Sequence, residues 1–358
     1  MKSKLKNLRN RIFSPIISNQ DEASTRISDL SNKLNNLNSI VNDLEAVIIK
    51  NDLQTAKLHE LEREKQVFYA TVLHYFRTRH GIYSGSYEGK LISSICRPTE
   101  ILRFCNWSEI THPDSPLTMH RKQWEYVYII QALYERGMLE KGKRGLGFAV
   151  GTEPLPSFFA SRGCDILATD VNPNEIENSN EWIDTNTHSN CLESLLWSHI
   201  CDIDILKEHV EFQFLNMNNI PDDVKNYDFC WSACAFEHLG SLQHGKDFLI
   251  NMLECLKPGG VAVHTTEFNL LSNTRTADKG ISVIYRECDL IEIVEELKKQ
   301  GHYVEPLDFR LDNSPADNVV MTSPLPMHED GRCVTPHIKL ELDGFLATSF
   351  GLIIIKKS

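Results

Sequence analysis

Between residues 144 and 170 the apolar positions change their period twice. Leu146, Phe148, Ala149 and Val150 form a short continuous run that ends at Gly151. Leu155, Phe158, Phe159 and Ala160 recur at helical spacing, and Ile166, Leu167 and Ala168 lead into Asp170. That order predicts a strand, a glycine turn, a helix and a second strand with an acid at its tip. The alternation continues to about residue 300. Strands are expected at 211–215, at 227–232 and in V-A-V-H-T-T-E-F, with helices from Lys246 to Leu256 and from Leu290 to Gln300, the second capped by Asp289. Near the end, H-I-K-L-E-L-D-G-F-L-A-T-S-F-G-L-I-I-I reads as two strands turning around Asp343 and Gly344. The fold class that follows is α/β, a doubly wound and mostly parallel sheet, Rossmann-like in its first unit.

Upstream the pattern is helical throughout. Ile27, Leu34, Val41 and Ile48 fall on one heptad position and Leu30, Leu37 and Leu44 on the other. β-Branched residues alternating with Leu predict a coiled coil over 21–66, an oligomerisation stalk that would make the protein a homo-oligomer. The alternative is a single helix packed on its own domain. Residues 67–139 read as a helical lead-in or cap, whose segment from His120 to Gly137 carries Arg121, Gln123, Trp124 and Tyr126 in a position to cover a ligand at the mouth of the sheet.

Composition narrows the partners. A net charge of −12 argues against a nucleic-acid backbone as the main partner. Residues 1–20 are the basic exception, with Lys2, Lys4, Lys6, Arg9 and Arg11 among Leu5, Leu8, Ile12 and Phe13. A solvated tail is the expectation, weak contact with an anionic membrane surface the alternative. Ten cysteines show no C-x-x-C pair and no clustered His, so neither a metal site nor a disulfide framework is expected. With no apolar run near the ~18 residues of a membrane span, a cytoplasmic protein is expected.

The chemistry starts at the glycine turn. Glycine lets the backbone approach a ligand closely, and the following helix start offers unpaired N–H groups. Asp170 lies nineteen positions beyond Gly151 (170 − 151), close to the spacing of about 20 at which a strand-tip carboxylate takes ribose hydroxyls. An NAD-binding domain would share these features, but the turn lacks G-x-G-x-x-G.

Four stretches together resemble the class I S-adenosylmethionine-dependent methyltransferases: G-F-A-V-G-T-E, the acid of A-T-D, N-M-N-N-I-P, and W-S-A-C-A-F-E-H-L followed by L-K-P-G-G. The resemblance covers about residues 140–300 and makes 140–358 the methyltransferase domain, with S-adenosylmethionine as cofactor. It implies that Gly147, Phe148, Ala149, Val150 and Gly151 line the methionyl end, and that Asp170 holds the ribose. Asn216 and Met217 would flank the adenine, and Ser232 and Ala233 would sit beside the sulfonium. The family's usual acid at position 147 is absent, so Glu153 is expected to reach the cofactor's ammonium group instead. S-A-C-A-F-E-H-L-G, V-H-T-T-E-F-N and D-G-F-L-A-T-S-F-G-L are also similar to a subgroup encoded with bacterial surface-polysaccharide synthesis.

Methyl transfer from a sulfonium is an in-line displacement that demands alignment and exclusion of water, plus a base when the acceptor is an alcohol or ammonium. His238, Glu267 and His264 are the candidate bases, and Glu237, Thr265, Thr266, Asn269 and Arg286 the candidate contacts to a small-molecule or glycan acceptor. The competing reading is a non-catalytic interaction protein that keeps the fold as scaffold.

Overall fold

The alternation of apolar runs builds a central sheet whose strands are covered on both faces, which is why β5 and β6 show almost no polar alternation. The computed structural model describes residues 20–45, 52–85, 89–103, 107, 110, 119–173, 188–322 and 335–358. Its strands are β1 (Ser93–Ile95), β2 (Arg144–Gly147), β3 (Asp165–Asp170), β4 (Val210–Phe214), β5 (Tyr227–Ala233), β6 (Leu256–Asn269), β7 (Tyr303–Val304), β8 (Leu307–Asp308), β9 (Val320–Met321), β10 (Lys339–Leu342) and β11 (Phe345–Ile355). The helices are α1 (Gln20–Glu45), α2 (Asp52–His80), α3 (Pro98–Ile101), α4 (Arg121–Tyr134), α5 (Leu155–Ser161), α6 (Ile203–His209), α7 (Leu242–Asn251) and α8 (Glu287–Lys299).

The sheet runs β4-β3-β2-β5-β6-β11-β1-β8. From β4 to β6 neighbouring strands are parallel, and β11 closes antiparallel along nine residues of β6, from Ala347 opposite Asn269 to Ile355 opposite Val261. The chain winds outward from β2 through β3 and β4, then restarts at β5 and winds the other way. The carboxyl ends of β2 and β5 therefore flank the point where strand order reverses, the place where an open α/β sheet leaves a crevice.

One core cluster joins Leu34, Phe76, Phe248 and Leu290 of α1, α2, α7 and α8. The other joins Trp124, Ile129, Phe158 and Phe159 of α4 and α5. Helix α4 lies close on β11 because Gly351 has no side chain: a Cβ there would meet the Tyr128 ring at 2.2 Å.

Several expectations shift. The first strand ends at Gly147, not Gly151, because Ala149 takes φ 48° and the chain leaves extended geometry. L-K-P-G-G lies inside β6, where the register slips between the Tyr227–Leu256 and Phe229–Val261 pairs. Helix α7 begins at Leu242, capped by the Ser241 hydroxyl, and tightens into a 3-10 turn over Met252–Cys255. Asp289 is not the cap residue of α8. It is the third helical residue, and its carboxylate accepts from the Arg286 backbone N–H.

The predicted stalk also changes meaning. Leu34 and Leu37 are buried in the protein's own core, and Ile27 and Leu30 pack against it. Asn38 donates to Glu341 of β10 at 2.9 Å. The first half of the heptad seam is thus used within the chain, as a helix packed on its own domain. Side chains of Val41 and Leu44, Ile48 itself, and residues 1–19 of the basic tail lie outside the described residues. Among the described residues no helix is long and apolar enough to cross a membrane, and the eight cysteines there are free thiols.

Candidate functional site

Two loops meet at the reversal point. The one after β2 is held by its neighbours: Phe148 N–H donates to the Trp231 carbonyl at 2.9 Å and Val150 N–H to the Thr169 carbonyl at 3.0 Å. Between them Ala149 (φ 48°) and Gly151 (φ 52°) both take the left-handed conformation, so the loop curls over the strand ends. Gly151 N–H then donates to Asp170 Oδ2 at 3.2 Å. Glycine loop and strand-tip acid therefore share one edge of the sheet.

Asp170 is already well supplied with donors. Oδ1 accepts from Val171 N–H at 2.8 Å, and Oδ2 from Ser189 N–H at 3.1 Å, with His188 Nδ1 3.3 Å away. The bidentate grip expected for a ribose finds Oδ2 occupied and one acceptor position left on Oδ1. The other ring nitrogen of His188, Nε2, is buried without a hydrogen-bond partner. An unpartnered donor or acceptor beside this carboxylate suits a polyhydroxylated ligand, and the residues fit a nucleoside there. His188 and Ser189 had no sequence signal, since they follow an Asn/Glu/Ser-rich stretch with no period.

The other cofactor candidates divide. Gly147 is small because of packing: a Cβ would lie 2.5 Å from Trp231 Cζ2 and from Val150 Cγ1. Phe148 and Val150 point into the core, Phe148 edge-on to Phe248 at 5.1 Å. Glu153 is buried, and its Oε1 accepts from Trp231 Nε1 at 2.7 Å; burial pushes its carboxyl up to about 8. Asn216 turns the loop after β4 by accepting from Asn218 N–H at 2.9 Å, and Met217 is buried beside it. The Ser232 hydroxyl is bound to His264 Nδ1 at 2.8 Å, while the Ala233 carbonyl accepts from Lys122 Nζ at 3.0 Å.

Beyond β5 lies a dense polar cluster. Cys234 (φ 48°) is pinned by its N–H to Thr265 Oγ1 at 3.0 Å. Its thiol donates to Glu125 Oε1 at 3.0 Å, which also accepts from the Ser349 hydroxyl at 2.5 Å. Burial works against ionised Glu125, yet Lys122, 2.8 Å away, and Arg121 hold its carboxyl below the ordinary value. Arg121 is ion-paired with Glu267, whose carboxyl is raised by burial against the pull of that guanidinium. Glu237 is fully buried; its Oε2 accepts from Thr266 Oγ1 at 3.1 Å, and burial with the nearby Glu267 charge pushes it up to about 8. His120 stacks on His337 at 4.4 Å, and Arg121 N–H donates to the His337 carbonyl, which fixes where α4 delivers Arg121 and Lys122.

The candidate bases are not equivalent. His238 is partly exposed at the cleft; its Nδ1 bonds the Ile281 carbonyl at 2.9 Å, leaving Nε2 as the basic nitrogen, 4.0 Å from Glu237 Oε1. Burial lowers its pKa to about 4, so the ring is neutral near pH 7. His264 lies fully inside the core, edge-on to Phe248 at 5.4 Å, and burial lowers it to about 3. It is a core histidine satisfied by Ser232, because position 264 faces the α7 side rather than the strand end. Arg286 is likewise withdrawn: its Nε and Nη2 clasp Asp289 at 2.8 and 2.7 Å. Asn269 binds the 271–276 turn, accepting from Leu271 and Ser272 N–H. Among the residues offered to cover a ligand, Trp124 is core and its Nε1 donates to Glu100.

A family model described as "Methyltransferase domain" matches residues 146–264, which run from the second half of β2 through both loops to most of β6. No curated protein matches the chain. Among solved structures, a SAM-dependent methyltransferase from Methanosarcina mazei is 13% identical with a TM-score of 0.37, covering 63% of this chain and 97% of that one. A TehB-like SAM-dependent methyltransferase from Corynebacterium glutamicum is 12% identical (TM-score 0.35; 73% and 100% covered). Magnesium protoporphyrin IX methyltransferase from Synechocystis, solved with SAH, is 11% identical (TM-score 0.37; 71% and 94% covered). Over residues 146–264 the chain thus matches a methyltransferase domain.

Proposed function

We propose that the protein methylates a hydroxyl or amine of a small-molecule or glycan acceptor held between the ends of β5, β6 and β11 and the start of α4. What supports this reading most is that the loop 147–153, Asp170 and the cluster after β5 all open at one reversal point of the sheet. Asp170 Oδ1 and His188 would hold the ribose, Asn216 and Met217 the adenine, and Glu153 the ammonium end. When bound, S-adenosylmethionine supplies an electrophilic methyl group whose departure needs no proton. The remaining work falls to the chain: align the acceptor, exclude water and accept one proton.

His238 Nε2 is the acceptor for that proton, since the Ile281 carbonyl holds the ring hydrogen on Nδ1. Glu267, oriented by Arg121, and Glu237, oriented by Thr266, bind the acceptor's polar group. A glycan of the surface-polysaccharide kind is the acceptor class this reading favours, on the sequence likeness given above. Labelled S-adenosylmethionine offered with sugar nucleotides, lipid-linked glycans and cell extract tests it. Label transferred to a glycan fraction supports the reading; label found only on protein or nucleic acid overturns it.

A further inference from the structure

Three side chains in the cluster after β5 have an arrangement that acceptor binding alone does not account for. The Cys234 thiol and one carboxylate oxygen each of Glu237 and Glu267 lie within 4.8 Å of one another. Glu237 is fully buried and Glu267 is 4% exposed, yet Glu237 Oε1 and Glu267 Oε2 have no hydrogen-bond partner. A buried carboxylate oxygen is rarely left unpaired, and two of them close together also repel. What fills such a place is a proton, an ammonium group or a metal ion.

The sulfur separates these choices. A thiol adds nothing to the binding of a proton or an ammonium, whereas thiolate and carboxylates together are a donor set for a borderline divalent metal. Three protein ligands leave a fourth tetrahedral position open, as catalytic zinc sites do. Charge agrees. Glu125, Glu237 and Glu267 against Arg121 and Lys122 give −1 when all are ionised, and a Cys234 thiolate makes −2, which one divalent cation neutralises. The neighbouring cations are already engaged: Arg121 with Oε1 of Glu267, and Lys122 with Glu125 and the Ala233 carbonyl. By holding one oxygen of Glu267, Arg121 leaves Oε2 turned to the ligand, the orienting role that partners behind metal ligands play.

We propose that Cys234, Glu237 and Glu267 bind one divalent cation of the zinc or cobalt type, with its fourth position open to the acceptor. On binding, the thiol proton now donated to Glu125 and the proton that the raised Glu237 carboxyl holds at neutral pH both leave to solvent, and one metal–sulfur and two metal–oxygen bonds form. The role in catalysis rests on the methyltransferase reading above: an acceptor hydroxyl bound through oxygen at the open position loses its proton more readily. The binding itself does not depend on that reading.

The test is a Co2+ titration of the full chain after chelator treatment, with a separate S-adenosylmethionine titration by calorimetry on the same material. One equivalent of Co2+ should bind with tetrahedral visible absorption and a thiolate-to-cobalt band, and Zn2+ should displace it. Cys234→Ser should abolish the thiolate band, and Glu237→Gln should weaken binding tenfold or more while its thermal unfolding stays cooperative. If Cys234→Ser does not fold, Glu237→Gln and Glu267→Gln carry the comparison. A thiolate band that survives Cys234→Ser, equal affinity in Glu237→Gln, or no Co2+ uptake overturns the metal site. Loss of metal binding with cofactor binding intact removes only this proposal; loss of cofactor binding in the parent chain removes the site reading instead.

Discussion

Gly151 gives its backbone N–H to Asp170 across nineteen residues of chain, a 3.2 Å bond that ties the loop after one strand to the tip of the next. Loop and acid are therefore one unit, and anything that displaces either disturbs both. The left-handed Ala149 and Gly151 on one side and the donors converging on Asp170 on the other set the shape of this edge before any ligand arrives.

Gly147→Ala separates packing from ligand contact. The added methyl would press on the Trp231 indole and Val150, neither of which has room to withdraw, so about 1–3 kcal/mol of stability should be lost. Urea denaturation checks this. Unchanged stability would mean that the glycine is there for another reason.

Glu153 makes stability depend on pH. Folded, its carboxyl holds a proton up to about 8; unfolded, it loses that proton near the ordinary glutamate value. In that window the folded state binds more protons, so stability is greatest at the acid end and falls as pH rises toward 8. The slope from this group is at most about 1.4 kcal/mol per pH unit. Glu153→Gln keeps an oxygen for Trp231 Nε1 and should lessen the slope of denaturation midpoints measured between pH 6 and 8, leaving the part that Glu237, also raised to about 8, contributes. An unaltered slope would place the titration elsewhere.

Leu34→Ala distinguishes a packed helix from an intermolecular seam. Leu34 is 1% exposed in the protein's own core, and its truncation should cost about 2–5 kcal/mol at every protein concentration. A loss of stability that grows on dilution would instead assign this position to a partner chain.

Much of the sheet was legible because its strands and helices differ in period and end in glycine or acid. What was not legible has physical reasons. Phe148 to Val150 are apolar whether they continue a strand or line a buried loop, so composition could not show that β2 stops at Gly147. β6 is covered on both faces, and without polar alternation nothing distinguished the core-facing His264 from Glu267, which pairs with Arg121 of α4. A Leu stripe on α1 announces a buried face without saying whose core it meets. The contact of Cys234 with Glu125 joins residues 109 apart on separate elements, which no local pattern encodes. Gly151 and Asp170 were legible because the turn and the strand tip are both local features.

The most direct measurement is calorimetric titration of S-adenosylmethionine into the chain and into Asp170→Ala. Removing a charged hydrogen-bonding partner, together with its hold on the Gly151 loop, should weaken binding about 10-fold or more. Binding as tight in Asp170→Ala as in the parent would contradict the account, because the loop and the acid would then not be gripping the same ligand.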